Sequence, residues 1–360
     1  MKRYVILLLI VVFYSCCQKE QPINSYTITI DYNQVKEELL SKYFALYKIC
    51  PLETTDQNII GEIKKIEMYN GNIYILDVIN NCIFQHDTTG KYIRQLNRIG
   101  RGPDEYTRLT DMKVNKQGIF LVDYTQQSIL QYDHNFNFIK KIRMDNCFPF
   151  EMQFAGDNLF VYSERNNANN DYCFYEIDSM GNTIYSFVKR EKLTGERYNY
   201  QNSNVFCVNS DSLFSPRFSN YIYSRTTKNF AYKLDFKDKT FPEEKLAIEN
   251  FDIGSSQFPF ITRENIYQHD NHLFISYNYK KRYFVDFDMN KKQIVFNGEL
   301  VNDLLPEFRF FPRFQVGEYW IDGVESYILT EYFPKIQTSF DSIQQLKETD
   351  NPVLFIYKIK

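Results

Sequence analysis

Five aspartates recur along this chain in one sequence setting. Asp87, Asp133, Asp178, Asp235 and Asp288 stand at intervals of 46, 45, 57 and 53 residues. Ile83, Ile129, Phe174, Ala231 and Phe284 lie four positions before them, and Ile93, Ile139, Ile184, Phe241 and Ile294 six positions after. Around Asp87 the chain holds four short β-forming runs, at 63–66, 73–76, 83–86 and 92–96, rich in Ile, Leu, Phe and Tyr. Asn70-Gly71-Asn72 between the first two is a tight-turn signal. Asp87-Thr88-Thr89-Gly90, between the last two, places Asp and Gly where a type I turn wants them, and Asp178-Ser179-Met180-Gly181 repeats that chemistry. Four antiparallel strands recurring at this period make one blade of a β-propeller.

Matching second strands are expected at 119–122, 159–162, 213–214, 273–276 and 327–330, which makes six units. The sixth has residues 354–357 as its third strand, Lys358 in the aspartate slot and no fourth strand after it. An open edge is a liability, and residues 26–30 (Tyr-Thr-Ile-Thr-Ile) alternate as an unassigned strand at the other terminus. The chain is therefore expected to be all-β: a six-bladed propeller of four-stranded antiparallel blades over 25–360, with residues 26–30 as an N-terminal strand closing the last blade. The five repeated aspartates are expected to cap turns, because a catalytic group does not recur once per blade. Asp77 and Asp123 end the second strands of the first two units. Their counterparts, Ser163, Arg217, Tyr277 and Glu331, form an irregular set that also reads as structural.

The N-terminus carries a different message. Lys2 and Arg3 precede an apolar run, residues 4–14, too short to span a bilayer. Ser15-Cys16 follows and resembles the lipobox of bacterial lipoproteins. That likeness implies a signal peptide at 1–15, acylation of Cys16 and a polar tether over 16–24. An ordinary cleaved signal peptide fits the same physics. Removing residues 1–15, with their two cations, changes the net charge from -3 to -3 - 2 = -5. A mildly acidic chain offers no basic face for nucleic acid, and the membrane is expected to be met through the lipid anchor alone. The seven cysteines form no CxxC pair, and no Cys/His cluster has metal spacing. Cys82, Cys147, Cys173 and Cys207 fall in apolar runs and read as buried thiols. No cofactor or metal is expected.

One segment is more specific. Arg98-Ile-Gly-Arg-Gly-Pro-Asp-Glu-Tyr106 joins the first two units. With Pro51-Leu-Glu-Thr-Thr55 and Asn351-Pro-Val-Leu354, it resembles the six-bladed β-propeller lipoproteins of the Bacteroidota, which are related in pattern to NHL-type propellers. Asp104 stands where that family often carries Gly. The resemblance implies an exported protein anchored in the outer membrane and brings no catalytic residues with it. Gly100 and Gly102 permit positive φ, and Pro103 is expected to fix the next turn and Glu105 to lock the loop by accepting backbone donors.

Propeller geometry places blade-to-blade links and second-to-third-strand links on one face. The long links here, 97–109, 188–203, 243–263 and 298–316, are rich in arginine and aromatics. Arg98, Arg101, Tyr106, Arg197, Tyr198, Arg309, Phe311 and Arg313 are the candidate binding residues: guanidinium forks pair with carboxylate or sulfate, and aromatic faces pack on sugar rings. Glu307-Phe-Arg-Phe-Phe-Pro-Arg-Phe314 is the densest cluster, a ligand site if exposed and a plug under the last blade if buried. The expected function is a cell-envelope binding module without enzymatic activity, for a glycan or a partner protein of the outer membrane. The alternative is a propeller hydrolase or lyase with its site at the mouth of the channel. Convergent polar groups in the channel would favour that alternative, and an exposed apolar patch would favour a scaffold. The four histidines, His86, His134, His269 and His272, sit in strands or turns away from the long links.

Overall fold

A computed structural model describes residues 25–144, 147–163, 172–189, 204–210, 212–243, 258–310 and 312–360. The chain enters as β1 (Tyr26–Thr29), β2 (Lys36–Leu39), one helical turn α1 (Leu40–Tyr43) and β3 (Phe44–Pro51). Blade 1 follows as β4 (Ile63–Tyr69), β5 (Asn72–Asp77), β6 (Cys82–Asp87) and β7 (Tyr92–Leu96). Blade 2 is β8 (Leu109–Asn115), β9 (Gly118–Asp123), β10 (Ser128–Tyr132) and β11 (Phe138–Arg143). Blade 3 is β12 (Pro149–Ala155), β13 (Asn158–Ser163), β14 (Tyr172–Ile177) and β15 (Thr183–Lys189). In these three blades every neighbouring pair is antiparallel and consecutive in the chain.

Blades 4 to 6 borrow from the N-terminus. Blade 4 contains β16 (Leu213–Phe214), β17 (Tyr221–Ser224) and β18 (Asn229–Asp235). Residues 205–207 line its inner edge: the Cys207 N–H donates to the Leu213 carbonyl (3.0 Å) and the Ser215 N–H to the Val205 carbonyl (2.8 Å). On its outer edge β1 lies parallel to β18. Blade 5 is β19 (Thr262–His269), β20 (His272–Tyr279), β21 (Lys281–Asp288) and β22 (Gln293–Val301), and β2 is added parallel to β22. Blade 6 is β23 (Phe314–Val316), β24 (Tyr319–Val324) and β25 (Val353–Ile359), completed by β3, antiparallel to β25 from Phe44 opposite Ile359 to Pro51 opposite Val353. The ring of six blades is thus closed from the N-terminal side by residues 44–51. Residues 26–30 instead edge blade 4, because the chain needs two more segments to travel round the rim before it reaches the last blade.

Two further expectations change. Residues 327–330 are not a strand: Ser326–Tyr332 is helix α2, followed by α3 (Pro334–Ser339). Both sit in the long link between β24 and β25, so Glu331 is helical and the second strand of blade 6 is Tyr319–Val324. A short apolar run suits either conformation, and here Ser326 and Leu329, three apart, face the core while Tyr327 and Tyr332 face solvent. Asp235 is out of phase. With residues 205–207 innermost, it ends the fourth strand of its blade, whereas Asp87, Asp133, Asp178 and Asp288 end or follow third strands. Arg217 lies in the turn after β16 and does not end a second strand.

The core explains why the second strands read as unbroken apolar runs. Successive side chains of a strand point to opposite faces, and in a ring both faces meet a neighbouring blade. Ile73 and Ile75 pack with Ile321, Leu354 and Ile356 of blade 6, while Tyr74 and Leu76 pack with Met112, Leu121 and Leu130 of blade 2. Six such clusters, one per interface, hold the ring. At the hairpin turns, Asp87 Oδ1 accepts the backbone N–H of Thr89 (2.7 Å) and Lys91 (3.0 Å); Asp133, Asp178 and Asp288 do the same for their own turns. These bonds favour the ionised carboxylate. The Thr89 hydroxyl on Asp87, the side-chain amides of Asn137 on Asp133 and Asn182 on Asp178, and the Lys291 N–H on Asp288 hold all four below the usual carboxylate range. Asp235 Oδ1 takes the Lys237 N–H (2.9 Å) and the Thr240 hydroxyl (3.2 Å).

Candidate functional site

The first strand of each blade faces the axis, and four of them carry a β-bulge at the same place. The residues just after the bulge are Lys65, Asp111, Glu151 and Asn265. Three of the four are ionisable, and they tie blades together. Lys65 Nζ lies 3.2 Å from Asp111 Oδ1, Lys113 Nζ 2.9 Å from Glu67 Oε1 and Arg217 Nη2 2.6 Å from Glu151 Oε1. Asp111 Oδ2 also accepts the Met152 N–H of blade 3 (2.8 Å). In blade 5 Arg282 Nε stands 2.6 Å from Glu264 Oε2. The Arg263 guanidinium, 4% exposed, donates to the carbonyls of Asn204 (2.9 Å), Glu264 (3.1 Å) and Pro216 (3.3 Å). Burial pulls Arg263 down to about 10. Burial pushes Glu151 up, but Arg217 and Lys65 outweigh it and hold the carboxyl below its usual range. Lys65 is kept above the ordinary lysine value, where Asp111, Glu67 and Glu151 outweigh its own burial. The channel does hold convergent polar groups, and these are engaged with one another. Sequence reasoning missed this set. The available signal was the recurrence of a charge at one position of the first strand in three successive blades, positive at Lys65 and negative at Asp111 and Glu151.

In blade 6 Asp322, on the second strand β24, is 5% exposed with Arg313 Nε 3.8 Å away. Burial raises its carboxyl to about 7 against the opposing pull of Arg313 and Arg282. Asp77 and Asp123, fully buried, each bind the turn that follows their strand and the link that enters the first strand of their own blade. Asp77 accepts the N–H of Gly61, Glu62, Ile79 and Asn80, and Asp123 those of Thr107, Arg108, Thr125 and Gln126.

The 98–106 link is locked from within. The Gly100 N–H donates to the Tyr106 carbonyl (2.8 Å) and the Tyr106 N–H to the Arg98 carbonyl (3.0 Å), while Glu105 Oε2 accepts the Gly102 N–H (2.8 Å). Neither glycine takes positive φ. Their need is steric: a Cβ on Gly100 would lie 1.9 Å from Glu105 Oε2, and one on Gly102 3.1 Å from its carboxyl carbon. Pro103 is exposed beside them. Tyr106 is fully buried, its hydroxyl donating to the Leu96 carbonyl (2.9 Å) and accepting the Arg98 N–H (3.2 Å), so it pins the loop and presents nothing to a ligand. Arg98 forms an ion pair with Asp104. Arg101 is exposed and has no ion pair among the described residues. It borders a cavity of about 270 Å³ together with Gly102, Pro103, Phe138, Lys141 and Arg143. Lys141 Nζ donates to the carbonyls of Glu105 (2.9 Å) and Gly102 (3.2 Å) and to Gln126 Oε1 (3.0 Å), and burial pulls its pKa down.

In the 302–314 segment the aromatic and basic residues separate. Phe308 and Phe310 are buried between blades 5 and 6 and Phe314 between blades 6 and 1, and Phe310 meets Phe44, Trp320 and Tyr357. Asn302 fastens the turn, accepting the Leu305 N–H (2.9 Å) and donating to the Phe308 carbonyl (2.8 Å). Arg309 is exposed, and Arg313, also exposed, donates to the Gly323 carbonyl. The plug reading of this cluster therefore holds for Phe308, Phe310 and Phe314. Cys16, Arg197, Tyr198 and Phe311 lie outside the described residues. No helix among the described residues is long and apolar enough to cross a membrane, and no group of three or more His, Cys, Asp or Glu among them is placed to hold a metal ion.

The family profile described as a domain of unknown function, DUF4934, matches residues 25–358. No curated protein sequence matches the chain significantly. Among solved structures, the fold is similar to that of a Bacteroides fragilis NCTC 9343 protein whose name calls it exported. The TM-score is 0.71 at 18% identity, with 93% of this chain and 99% of that one covered. It is also similar to a member of the DUF4221 family from Bacteroides vulgatus ATCC 8482, with a TM-score of 0.51 at 10% identity over 88% of this chain and 98% of that one. At such identities the likeness is one of fold alone. The profile match takes in all six blades and the strands that close them, and the chain belongs to the DUF4934 family.

Proposed function

We propose that this protein is an exported binding module of the cell envelope, an NHL-like propeller held to the outer membrane by lipid on Cys16. It recognises a glycan or an envelope protein with its long-link face and carries out no chemistry of its own. The observation that carries this reading is the division of labour in residues 302–314. Buried Phe308, Phe310 and Phe314 fix the backbone so that Arg309 and Arg313 stand on the solvent side of a rigid segment. A preordered guanidinium loses little freedom on pairing with an anionic partner group. The axial charges support the same conclusion, since their partners are one another and not an incoming substrate. The exported B. fragilis neighbour and the N-terminal Ser15-Cys16 support the location.

The test is affinity capture from detergent-solubilised envelope with the full-length protein and its Arg309→Ala/Arg313→Ala variant. One envelope protein or glycan is expected to be retained by the wild type and lost by the variant. Equal recovery by both would remove the face from consideration. Palmitate labelling that survives Cys16→Ala would remove the anchor.

A further inference from the structure

The cavity under the 98–106 link stands apart from segment 302–314 and differs from the axial channel in one respect: its cations are not neutralised. Three of its six lining residues are cationic, Arg101, Lys141 and Arg143, and none is acidic. The two acids of the link are turned to other work. Asp104 is paired with Arg98, and Glu105 accepts the Gly102 N–H against the two glycines. Lys141 is spent on two carbonyls and Gln126, which hold the link down on β11. Arg101 and Arg143 are exposed and have no ion pair among the described residues, and Phe138 supplies an aromatic wall. The walls are preformed: the Tyr132 hydroxyl donates to the Asp104 carbonyl (2.7 Å), and Gln126 Nε2 donates to the carbonyls of Gly100 and Glu105 (both 3.2 Å).

We propose that this pocket binds one acidic sugar unit. Arg101 and Arg143 would take its carboxylate or sulfate ester, and Phe138 would pack against the ring. Two guanidinium forks suit the planar or tetrahedral oxygens of such groups. An aromatic wall suits the apolar C–H face of a sugar, and a volume just below that of drug-sized sites suits a single unit of a chain. A protein partner inserting one Glu or Asp would use the cations without the aromatic wall. The proposal rests on the reading of the preceding subsection and deepens it, since the 98–106 link belongs to the same long-link face and the pocket names the ligand class found there.

Titration calorimetry on the full-length protein at low salt tests it, with trigalacturonate, a chondroitin sulfate tetrasaccharide, maltotriose and poly-glutamate as probes. One of the two acidic saccharides is expected to bind, and which one binds identifies carboxylate or sulfate as the recognised group. Maltotriose is expected to show no heat. Arg101→Ala/Arg143→Ala is expected to weaken binding at least tenfold. Both side chains are exposed, so the urea midpoint of this variant should stay that of the wild type. Silence with both acidic saccharides, unchanged affinity in the Arg101/Arg143 variant, or poly-glutamate binding as tightly as a saccharide would each overturn the proposal. Capture of an envelope partner through Arg309 alongside any of these results would uphold the binding module and sink the pocket.

Discussion

Blades 1 to 3 and blades 4 to 6 solve the same packing problem with different means. In the first half each blade takes its four strands from one continuous stretch of chain. In the second half the chain returns to its beginning three times: β1 edges blade 4, β2 edges blade 5, and β3 completes blade 6. Only the last addition is needed to complete a four-stranded blade. The difference separates ornament from closure, although all three strands lie within one short N-terminal stretch.

The largest expected effect is at the closure. Phe44 is 1% exposed and packs on Phe310 and Trp320 at centroid distances of 5.1 and 5.0 Å. Phe44→Ala should cost about 3–5 kcal/mol in urea denaturation. Ile28, 1% exposed on the parallel edge of blade 4, loses a buried side chain as well as its place in the ladder in Ile28→Pro, which should cost about 2–5 kcal/mol with a single cooperative transition retained. A larger loss at Ile28 than at Phe44 would return closure of the ring to the first strand.

Acid should act on the other half. His86 of blade 1 is fully buried between Phe84 and Tyr92, and burial lowers its pKa from 6.5 to about 4. The unfolded chain therefore takes up a proton near pH 6.5 that the folded chain refuses until about pH 4. This contribution is whole above pH 6.5 and is lost as pH falls through that window, about 3 kcal/mol in all. His86→Phe should flatten the slope of stability between pH 6.5 and 4. An unchanged slope would mean that other groups govern it.

The smallest effect sharpens the comparison without altering stability. Cys50, Cys82, Cys147, Cys173 and Cys207 are buried free thiols. Burial pushes all those with a resolved shift upward, Cys50 to about 11 and Cys82 and Cys147 to about 12. Iodoacetamide under native conditions should label none of them quickly. If β3 is the latch, Cys50 should label ahead of Cys82, as the strand most dependent on a distant partner frays first. Cys82 leading would place the weak point in blade 1.

How much of this could be read from the sequence follows the same division. Asp87, Asp133, Asp178 and Asp288 mark real turns because a hairpin and its capping carboxylate are local chemistry. Asp235 has the same neighbours yet sits one strand out of phase, because the inner strand of its blade is too short and irregular to register as an apolar run. The path of β1 and β2 was illegible: a parallel edge strand leaves no mark on the partner it chooses. Lys65, Asp111 and Glu151 look like solvent-facing residues of amphipathic strands until the ring brings them to its axis. The candidate arginines divided along similar lines. Arg101 and Arg309 are exposed as the composition of their loops suggested, whereas Tyr106 fills the core, since an aromatic after a Gly-Pro turn is as useful beneath a loop as upon it.

The pairing of Phe44 with Ile359 also sets a clock. A barrier to closure rises with the length of chain that must be gathered first, and here nearly the whole polypeptide must be made before the two halves of blade 6 can meet. Until then the propeller is an open arc with its last interface missing. It becomes a ring only when residues 353–359 meet residues 44–51, so the position of one strand makes ring closure the final event of folding.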